Sequence, residues 1–290
     1  MANYKQILHN LKVFERLHEV TKSIKLVAFT KFKKIQYRLK VNNDSLVSIS
    51  KLCSALNESI PEIHINRYLL VPITSDKGCC GSVNTHLLSV FDDQMHSLLK
   101  NNKYAEIFLV GKKGKVFTKY NFKTHYVKHV YDVFSHSLSF LSTLKINEEM
   151  HKLVYDKCTF LFNHFKNINE QKIYMFEILS FDNFVKKIYY SANSLLVDSS
   201  FWSILYLKYL INPVVLNDLY AFILSIVLLH SLLDHEISEL GGRITSMEKS
   251  SQNALEMYSG LQIQYNKARQ SYITNQLIEI CSASAAITVM

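Results

Sequence analysis

Twelve residues near the C-terminus restrict the fold more than any other feature of the chain. Leu233, Ile237, Leu240, Ile244, Met247, Ser251, Ala254, Tyr258, Leu261, Tyr265, Ala268 and Tyr272 follow one another in alternating steps of four and three over forty residues. That period is the heptad seam of a helix wound against another helix. The pattern then drifts by one position and continues as Ile273, Leu277, Ile280, Ser284 and Ile287. Such drift is what a 3.6-residue helix shows once it stops supercoiling. A strong dimeric zipper would fill the seam with Leu and β-branched residues. Here its middle is Met, Ser, Ala and Tyr, which suits a helix with one close partner and a second, looser environment.

The other end of the chain offers the partner. Val13, Leu17, Val20, Ile24 and Val27 repeat the same spacing, and Ile35 and Leu39 prolong it. This helix is expected to end near Asn57–Pro61, because proline disfavours helix at the residue before it. Helices of about 55 and 70 residues would be on the order of 80 and 105 Å long. A compact globule of 290 residues needs neither, so the pair implies an elongated antiparallel coiled coil. The chain has only 7 Gly and 3 Pro, and Pro61, Pro72, Gly78, Gly81, Gly111 and Gly114 all fall between the two helices. That scarcity excludes collagen-like, linker and disordered classes, and an all-β barrel with many turns.

The middle alternates between strand and helix. Arg67–Thr74 reads as a strand, followed by the loop Ser75–Gly81 and a helix over Asn84–Leu99. Glu106–Val110 is a second strand and Phe122–Val127 a third. Ser137–Phe165 reads as mainly helical, Ile173–Leu179 as a strand, and Lys187–Leu196 as a strand pairing with it. The fold class is therefore α/β: a long antiparallel two-helix coiled coil formed by the N- and C-terminal helices, with a small α/β sheet domain inserted between them. The divisions fall at 1–60, 61–200 and 201–290. Ala221–Leu233 is interrupted by Ser225, His230 and Ser231 and is too short to span a bilayer, so it reads as a buried helix. The N-terminus shows neither a secretory signal pattern nor an Arg- and Ser-rich transit pattern.

No motif points to catalysis. The loop Asp76–Ser82 lies between strand and helix, where α/β proteins hold phosphates, but lacks both G-x-G-x-x-G and G-x-x-x-x-G-K-[ST]. His125 and His129 are four apart, yet lie in a strand-like segment with only Asp132 as a nearby acid. With His136, they read as surface or partly buried histidines rather than metal ligands. There is no nucleophile elbow, Cys/His pair or paired-carboxylate signature. The cysteines, Cys53, Cys79, Cys80, Cys158 and Cys281, are odd in number and lack C-x-x-C, which fits a reducing compartment. Cys79 and Cys80 read as two buried small residues. The expectation is a non-enzyme without metal or cofactor.

Two features ask for neighbours. Gly241-Gly242 interrupts the heptads at roughly 1 kcal/mol each against Ala; either the helix kinks there or another backbone passes very close. The net charge of +9 is concentrated in residues 1–60, with 11 Lys/Arg against 4 Asp/Glu. Such an arm suits nucleic acid, an anionic membrane or an acidic protein surface. Between Gln262 and Thr274 the polar residues are mixed with Tyr265, Tyr272 and Ile273 on more than one side, as a surrounding partner would require.

At these residues the chain resembles the γ subunit of F-type ATP synthases. The run RITSMEKSSQNALEMYSGLQIQYNKARQSYITNQLIEICSASAAI resembles that family's C-terminal helix, most specifically at Tyr265–Gln270 followed by Ile273-Thr274. Val20–Gln36 resembles its first helix, and Ile73–Asn84 its loop after the first strand. The resemblance is strong over about 75 residues, while residues 100–210 match only in layout.

The resemblance implies a rotor without chemistry of its own. Its coiled coil would lie within a hexameric ring of α and β subunits, with its α/β domain towards the c-subunit ring and δ/ε-type central-stalk subunits. It would transmit torque from the proton-driven c ring to the catalytic β subunits. It implies no cofactor, no nucleic acid and no direct membrane span. Arg243 falls on an arginine that meets β, and is expected to face that partner rather than the core. Gln270 and Thr274 fall on polar positions that contact the ring, beside Tyr265, Asn266 and Arg269 of the same matched core. Ile24 stands where the family usually has Met, and Lys25 where it has Glu or Lys. Gln276 replaces a frequent Glu, and Gly241-Gly242 the usual Ala-Ala. Cys80 matches, while Cys79 replaces Leu and Ser82 replaces Gly; the chloroplast type of regulatory dithiol insertion is absent. Lys31, Lys33 and Lys34 would act as a loose electrostatic bearing towards acidic β surfaces. A basic coiled-coil nucleic-acid-binding protein is the alternative, and a nucleotide-binding enzyme using Gly78–Ser82 a third reading. Abundant Lys, Asn, Ile, Tyr and Phe suggest an AT-rich genome. They favour the matrix side of a mitochondrial inner membrane, as a peripheral protein, over the cytoplasmic side of a bacterial plasma membrane.

Overall fold

The computed structural model describes residues 2–58, 65–115, 117, 127–130, 133–134, 138–168, 170–193 and 213–288. In chain order the elements are α1 (Ala2–Glu58), β1 (Arg67–Pro72), α2 (Val83–Lys100), β2 (Tyr104–Val110), β3 (Val127–Val130), α3 (Phe140–His151), β4 (Lys157–Phe165), β5 (Gln171–Leu179), α4 (Phe181–Asn193) and α5 (Pro213–Thr288). Two long helices thus enclose a mixed sheet in the sequence; α1 is helical through Glu58, and the rest of its expected stop, near Asn57–Pro61, lies outside the described residues. The chain forms two compact units, one of Met1–Phe29 with Ile244–Met290 and one of Thr30–Arg243.

The larger unit is built on a five-stranded sheet in the order β3-β2-β1-β4-β5. β1 pairs in parallel with β2 and with β4, β2 pairs in parallel with β3, and β5 runs antiparallel to β4. Helix α2 makes the crossover from β1 to β2. Its Val83, Leu87, Leu88, Phe91 and Met95 are buried along one face. Phe91 and Met95 pack with Leu70, Ala105, Ile107 and Leu161 of the strands. Each large side chain of this kind contributes roughly 1.5–3 kcal/mol when fully buried. Helix α3 begins at a capping box, with Ser139 and Ser142 exchanging side-chain-to-backbone bonds, which satisfies amides that the first turn leaves free.

The lower half of α5 is a core helix. Tyr220, Ile223, Leu224, Val227, Leu228, Leu232 and Leu233 are all 2% exposed or less. An 18-residue window within this helix has mean hydropathy 1.8, long and apolar enough to cross a membrane by composition. The apolar stretch is therefore longer than the interrupted run read from the sequence. More than half of that window is buried in the fold; Asn147 of α3 donates to the Ala221 carbonyl, and the Tyr220 hydroxyl donates to the Leu179 carbonyl of β5. Gln171 at the start of β5 donates to the Ser238 carbonyl, and Ser238 donates to the Asn163 carbonyl of β4.

Two sequence assignments differ. Ser137–Phe165 is not mainly helical, because α3 stops at His151 and Lys157–Phe165 is a strand. Cys158–Asn163 are all buried, and a strand covered on both faces loses the alternation that betrays strands. The segment read as a strand at Lys187–Leu196 is helical through Asn193. Phe184 and Lys187 are buried there, a three-residue step of one helical face. Most of the third strand's expected span, Phe122–Val127, lies outside the described residues; β3 occupies Val127–Val130.

Candidate partner-binding surface

In the smaller unit the two helices pair antiparallel. Tyr4 stacks on Tyr265 and Tyr272, with ring centroids 5.1 and 5.9 Å away, and its hydroxyl lies 2.9 Å from that of Tyr265. His18 Nδ1 is 2.9 Å from Ser251 Oγ. Lys25 forms an ion pair with Glu248. The row on α1 that faces inward is Tyr4, Ile7, Leu11, Phe14, His18, Thr21, Lys25 and Ala28, all buried or half-buried. On α5, Ile244, Met247, Ser251 and Ala254 are buried, while Tyr258, Leu261, Tyr265, Ala268 and Tyr272 are half-buried. The C-terminal seam therefore lies where its heptads place it, with the looser half that its composition implies.

The N-terminal seam does not. Val13, Leu17, Val20, Ile24 and Val27 are 40%, 45%, 53%, 38% and 57% exposed. The packed row lies one residue further on and includes His18, Thr21 and Lys25, which an apolar count passes over. His18 and Lys25 are matched across the pair by Ser251 and Glu248. The apolar row is left on the outside. On α5, Leu255, Met257, Ile263, Ile273, Leu277, Ile278 and Ile280 are exposed too, including the drifted continuation of the seam. Apolar surface of this extent marks contact with another macromolecule.

The residues singled out from the sequence occupy two kinds of position. Ile24 belongs to the exposed row, whereas Lys25 is turned onto Glu248. Tyr265 is half-buried in the tyrosine stack. Asn266, Arg269, Gln270, Thr274 and Gln276 are exposed, bordering the apolar side chains. Thr274 Oγ1 donates to the Gln270 carbonyl at 2.9 Å, and Gln276 Nε2 donates to the Tyr272 hydroxyl at 2.9 Å. In the larger unit, Lys31, Lys33 and Lys34 are exposed on α1.

Arg243 corrects its expected orientation. Its side chain is 13% exposed and pairs with Glu239, one helical turn back and 6% exposed. It also donates to the Gly78 carbonyl at 3.1 Å. Burial pushes the Glu239 carboxyl upward, and Arg243 opposes that shift. A buried carboxylate needs its counter-ion, and the loop carbonyl offers a second acceptor. Nearby, Glu236 is pushed up to about 7 by burial and by Glu239, against the opposing charges of Arg38 and Lys31.

The same loop explains Gly242. A Cβ there would lie 2.5 Å from the Cys80 carbonyl oxygen and 2.9 Å from Val83 Cγ2. Of the two readings of the Gly pair, close passage of another backbone is therefore the one observed at Gly242. Cys80 is buried, and burial raises its thiol pKa; Asn84 Nδ2 lies 3.1 Å from its sulfur. Cys79, expected to be buried as well, is exposed with φ 61°. Asp76 accepts from the Lys112 and Phe134 amides, so it fastens neighbouring loops. His125, Asp132 and His136 lie outside the described residues. Among those described, no group of three or more His, Cys, Asp or Glu side chains is placed to hold a metal ion.

The family model described as ATP synthase matches residues 3–287. A curated relative, the ATP synthase gamma chain of Rickettsia canadensis, is 28% identical over 307 residues, covering 99% of this chain and all of the relative. The ATP synthase gamma chain of Christiangramia forsetii is also 28% identical, over 304 residues and 99% of both chains. Among solved structures, a chain of the Euglena gracilis mitochondrial ATP synthase (OSCP, F1 and c-ring) superposes with TM-score 0.79 at 19% identity, covering 99% of this chain and 95% of that one. A chain of the Tetrahymena thermophila mitochondrial ATP synthase central stalk and c-ring gives 0.62 at 24% identity, covering 80% and 99%. The structural likenesses establish the fold.

Proposed function

Because the chain belongs to the ATP synthase gamma chain family, we propose that it is the torque-bearing shaft of an F-type ATP synthase. It is a non-catalytic subunit of the central stalk. In the proposed mechanism, a proton-driven c ring turns the chain inside a hexameric ring of α and β subunits. Each orientation presents a different face to a given β subunit. Differential contact of this kind shifts that subunit between nucleotide affinities. δ/ε-type subunits complete the stalk.

The observation that supports this reading is the apolar row Val13, Leu17, Val20, Ile24 and Val27, left outside while the mixed row Phe14, His18, Thr21, Lys25 and Ala28 faces the helix partner. Chain stability alone would put that row inside. A surrounding sleeve gives it a place. Asn266, Arg269, Gln270, Thr274 and Gln276 then supply polar contacts at the same sleeve. Lys31, Lys33 and Lys34 add a long-range attraction that salt would screen. Lys25, Tyr265 and Arg243 act on the interface by fixing the helices and the loop behind it. The nucleic-acid alternative rests on net charge alone and is not favoured. A peripheral position on the matrix side of a mitochondrial inner membrane accords with the mitochondrial structural likenesses, while the bacterial relatives keep the cytoplasmic side of a plasma membrane as the other setting.

Cross-linking tests the rotation. A Val20→Cys chain joined through that thiol to a ring subunit in the assembled complex should lose ATP hydrolysis, and cleaving the link should restore it. Undiminished hydrolysis in quantitatively cross-linked complex would exclude the shaft role.

A further inference from the structure

Strand β4 ends against a buried carboxylate. Asp234 of α5 is 0% exposed. Its Oδ1 accepts the Phe165 amide at 2.9 Å, and its Oδ2 lies 2.6 Å from His164 Nδ1. His230 Nε2, one turn back on the same helix, is 3.9 Å from Oδ2. The His164 side chain is 49% exposed, so solvent protons reach it while they do not reach Asp234.

The surrounding groups leave His164 as the carboxylate's counter-ion. From β5, Lys172 is the register partner of His164 and Tyr174 places its ring 6.0 Å away. Lys172 and Lys166 both pair with Glu170. From α5, His230 and His235 are buried, and burial lowers the pKa of each, that of His235 to about 3. Burial thus disfavours the charged form of both, which leaves His164 the better placed to carry the compensating charge. His235 instead lies 3.4 Å from Asn163 Nδ2 and tilts against Phe134.

We propose that His164 and Asp234 form a proton-operated clamp between β4 and α5, tight while His164 is charged and slack once it is neutral. With His164 charged the bond joins two opposite charges; with it neutral only Asp234 is ionised, and the charge–charge attraction is lost. Losing the proton leaves Asp234 as a buried carboxylate without a full counter-ion, which is costly. The clamp would respond to the pH of the compartment in which the chain stands, whether or not the chain turns.

The direction of the response follows from the bond itself. The hydrogen bond to Asp234 raises the His164 pKa above 6.5, outweighing desolvation. A base raised on folding stabilises the fold fully below its unfolded pKa and loses that contribution as pH rises through its folded pKa. The clamp therefore loosens on the alkaline side.

Hydrogen exchange on the full-length chain tests it. Protection of the Phe165 amide, corrected for intrinsic exchange, should fall between pH 6 and pH 9, by about tenfold for each unit by which the His164 pKa is raised. His164→Gln keeps a donor without a titrating proton, so its protection should be flat and low. Asp234→Asn should flatten the profile as well. A pH-independent wild-type profile, or a His164→Gln profile with the wild-type slope, would overturn the clamp. Should either variant misfold, the His164 ring resonances of the wild-type chain decide: titration above pH 6.5 supports the clamp, and titration at or below 6.5 overturns it.

Discussion

Replacing Gly242 by Ala should destabilise the larger unit, although Ala is the better helix former. On an open helix surface the exchange would contribute about 1 kcal/mol in favour of Ala. At Gly242 the added carbon would sit 2.5 Å from the Cys80 carbonyl oxygen and 3.3 Å from its carbonyl carbon. Both belong to backbone, so no side-chain rotation relieves the overlap. Overpacking of this kind costs about 1–3 kcal/mol and occasionally more, so against the propensity gain the net is a loss of up to about 2 kcal/mol. In a unit of this size that lowers Tm by up to about 8 °C. Gly241 is the internal control: its Cβ would meet Phe165 Cε2 at 3.4 Å and Gln171 Nε2 at 3.5 Å, an ordinary contact distance. Gly241→Ala should raise Tm by about 1–4 °C, and Gly260→Ala, with nothing within 4 Å of its Cβ, should stabilise the smaller unit. Calorimetry of the three single variants is the assay. A Gly242→Ala chain as stable as Gly241→Ala would refute the close-passage argument.

Other outcomes follow from the buried charges and the exposed row. Arg243→Ala should destabilise the chain by about 3–5 kcal/mol, because it leaves Glu239 buried and unpaired, and adding Glu239→Gln should recover much of the loss in urea melts. Burial depresses the His235 pKa to about 3, so stability should fall with acidification from about pH 6.5, by up to about 1.4 kcal/mol per pH unit; His235→Gln should reduce the slope of stability against pH by one proton's worth. For Glu236, raised to about 7, stability is lost as pH rises between 4.5 and 7, and Glu236→Gln should make the chain more stable at pH 8 by about 1 kcal/mol. Neutralising Lys31, Lys33 and Lys34 together should weaken hydrolysis and its coupling in the assembled complex at low salt and little at high salt; identical behaviour at every salt concentration would remove the bearing.

Much of this architecture is legible in the residues, and the failures have physical causes. The α5 heptads identify the packed face because that face is apolar or small from Leu233 to Ala254. The α1 heptads mislead because its true seam carries His18, Thr21 and Lys25; the partners of His18 and Lys25, Ser251 and Glu248, lie more than 200 residues away, while Thr21 turns its hydroxyl back onto the Leu17 and His18 carbonyls. A period of four and three also runs through Tyr4, Leu11, Phe14 and His18, and ignoring polarity would have found it. β4 is hidden because both of its faces are buried. The orientation of Arg243 depends on the Gly78 carbonyl, which only the folded loop brings to it. The outward apolar row is visible as a pattern, but its exposure becomes evident only once the inward row is known.

Isolation of the tagged chain from its native membranes, with identification of every subunit that accompanies it, bears most directly on the stalk role. Stoichiometric α and β subunits with c subunits are the expected result, and substituting the outward row, Val13, Val20 and Val27 each to Gln, should diminish α and β recovery without altering the chain's own stability. Recovery of the chain alone or with nucleic acid, and no α or β subunit, would contradict it.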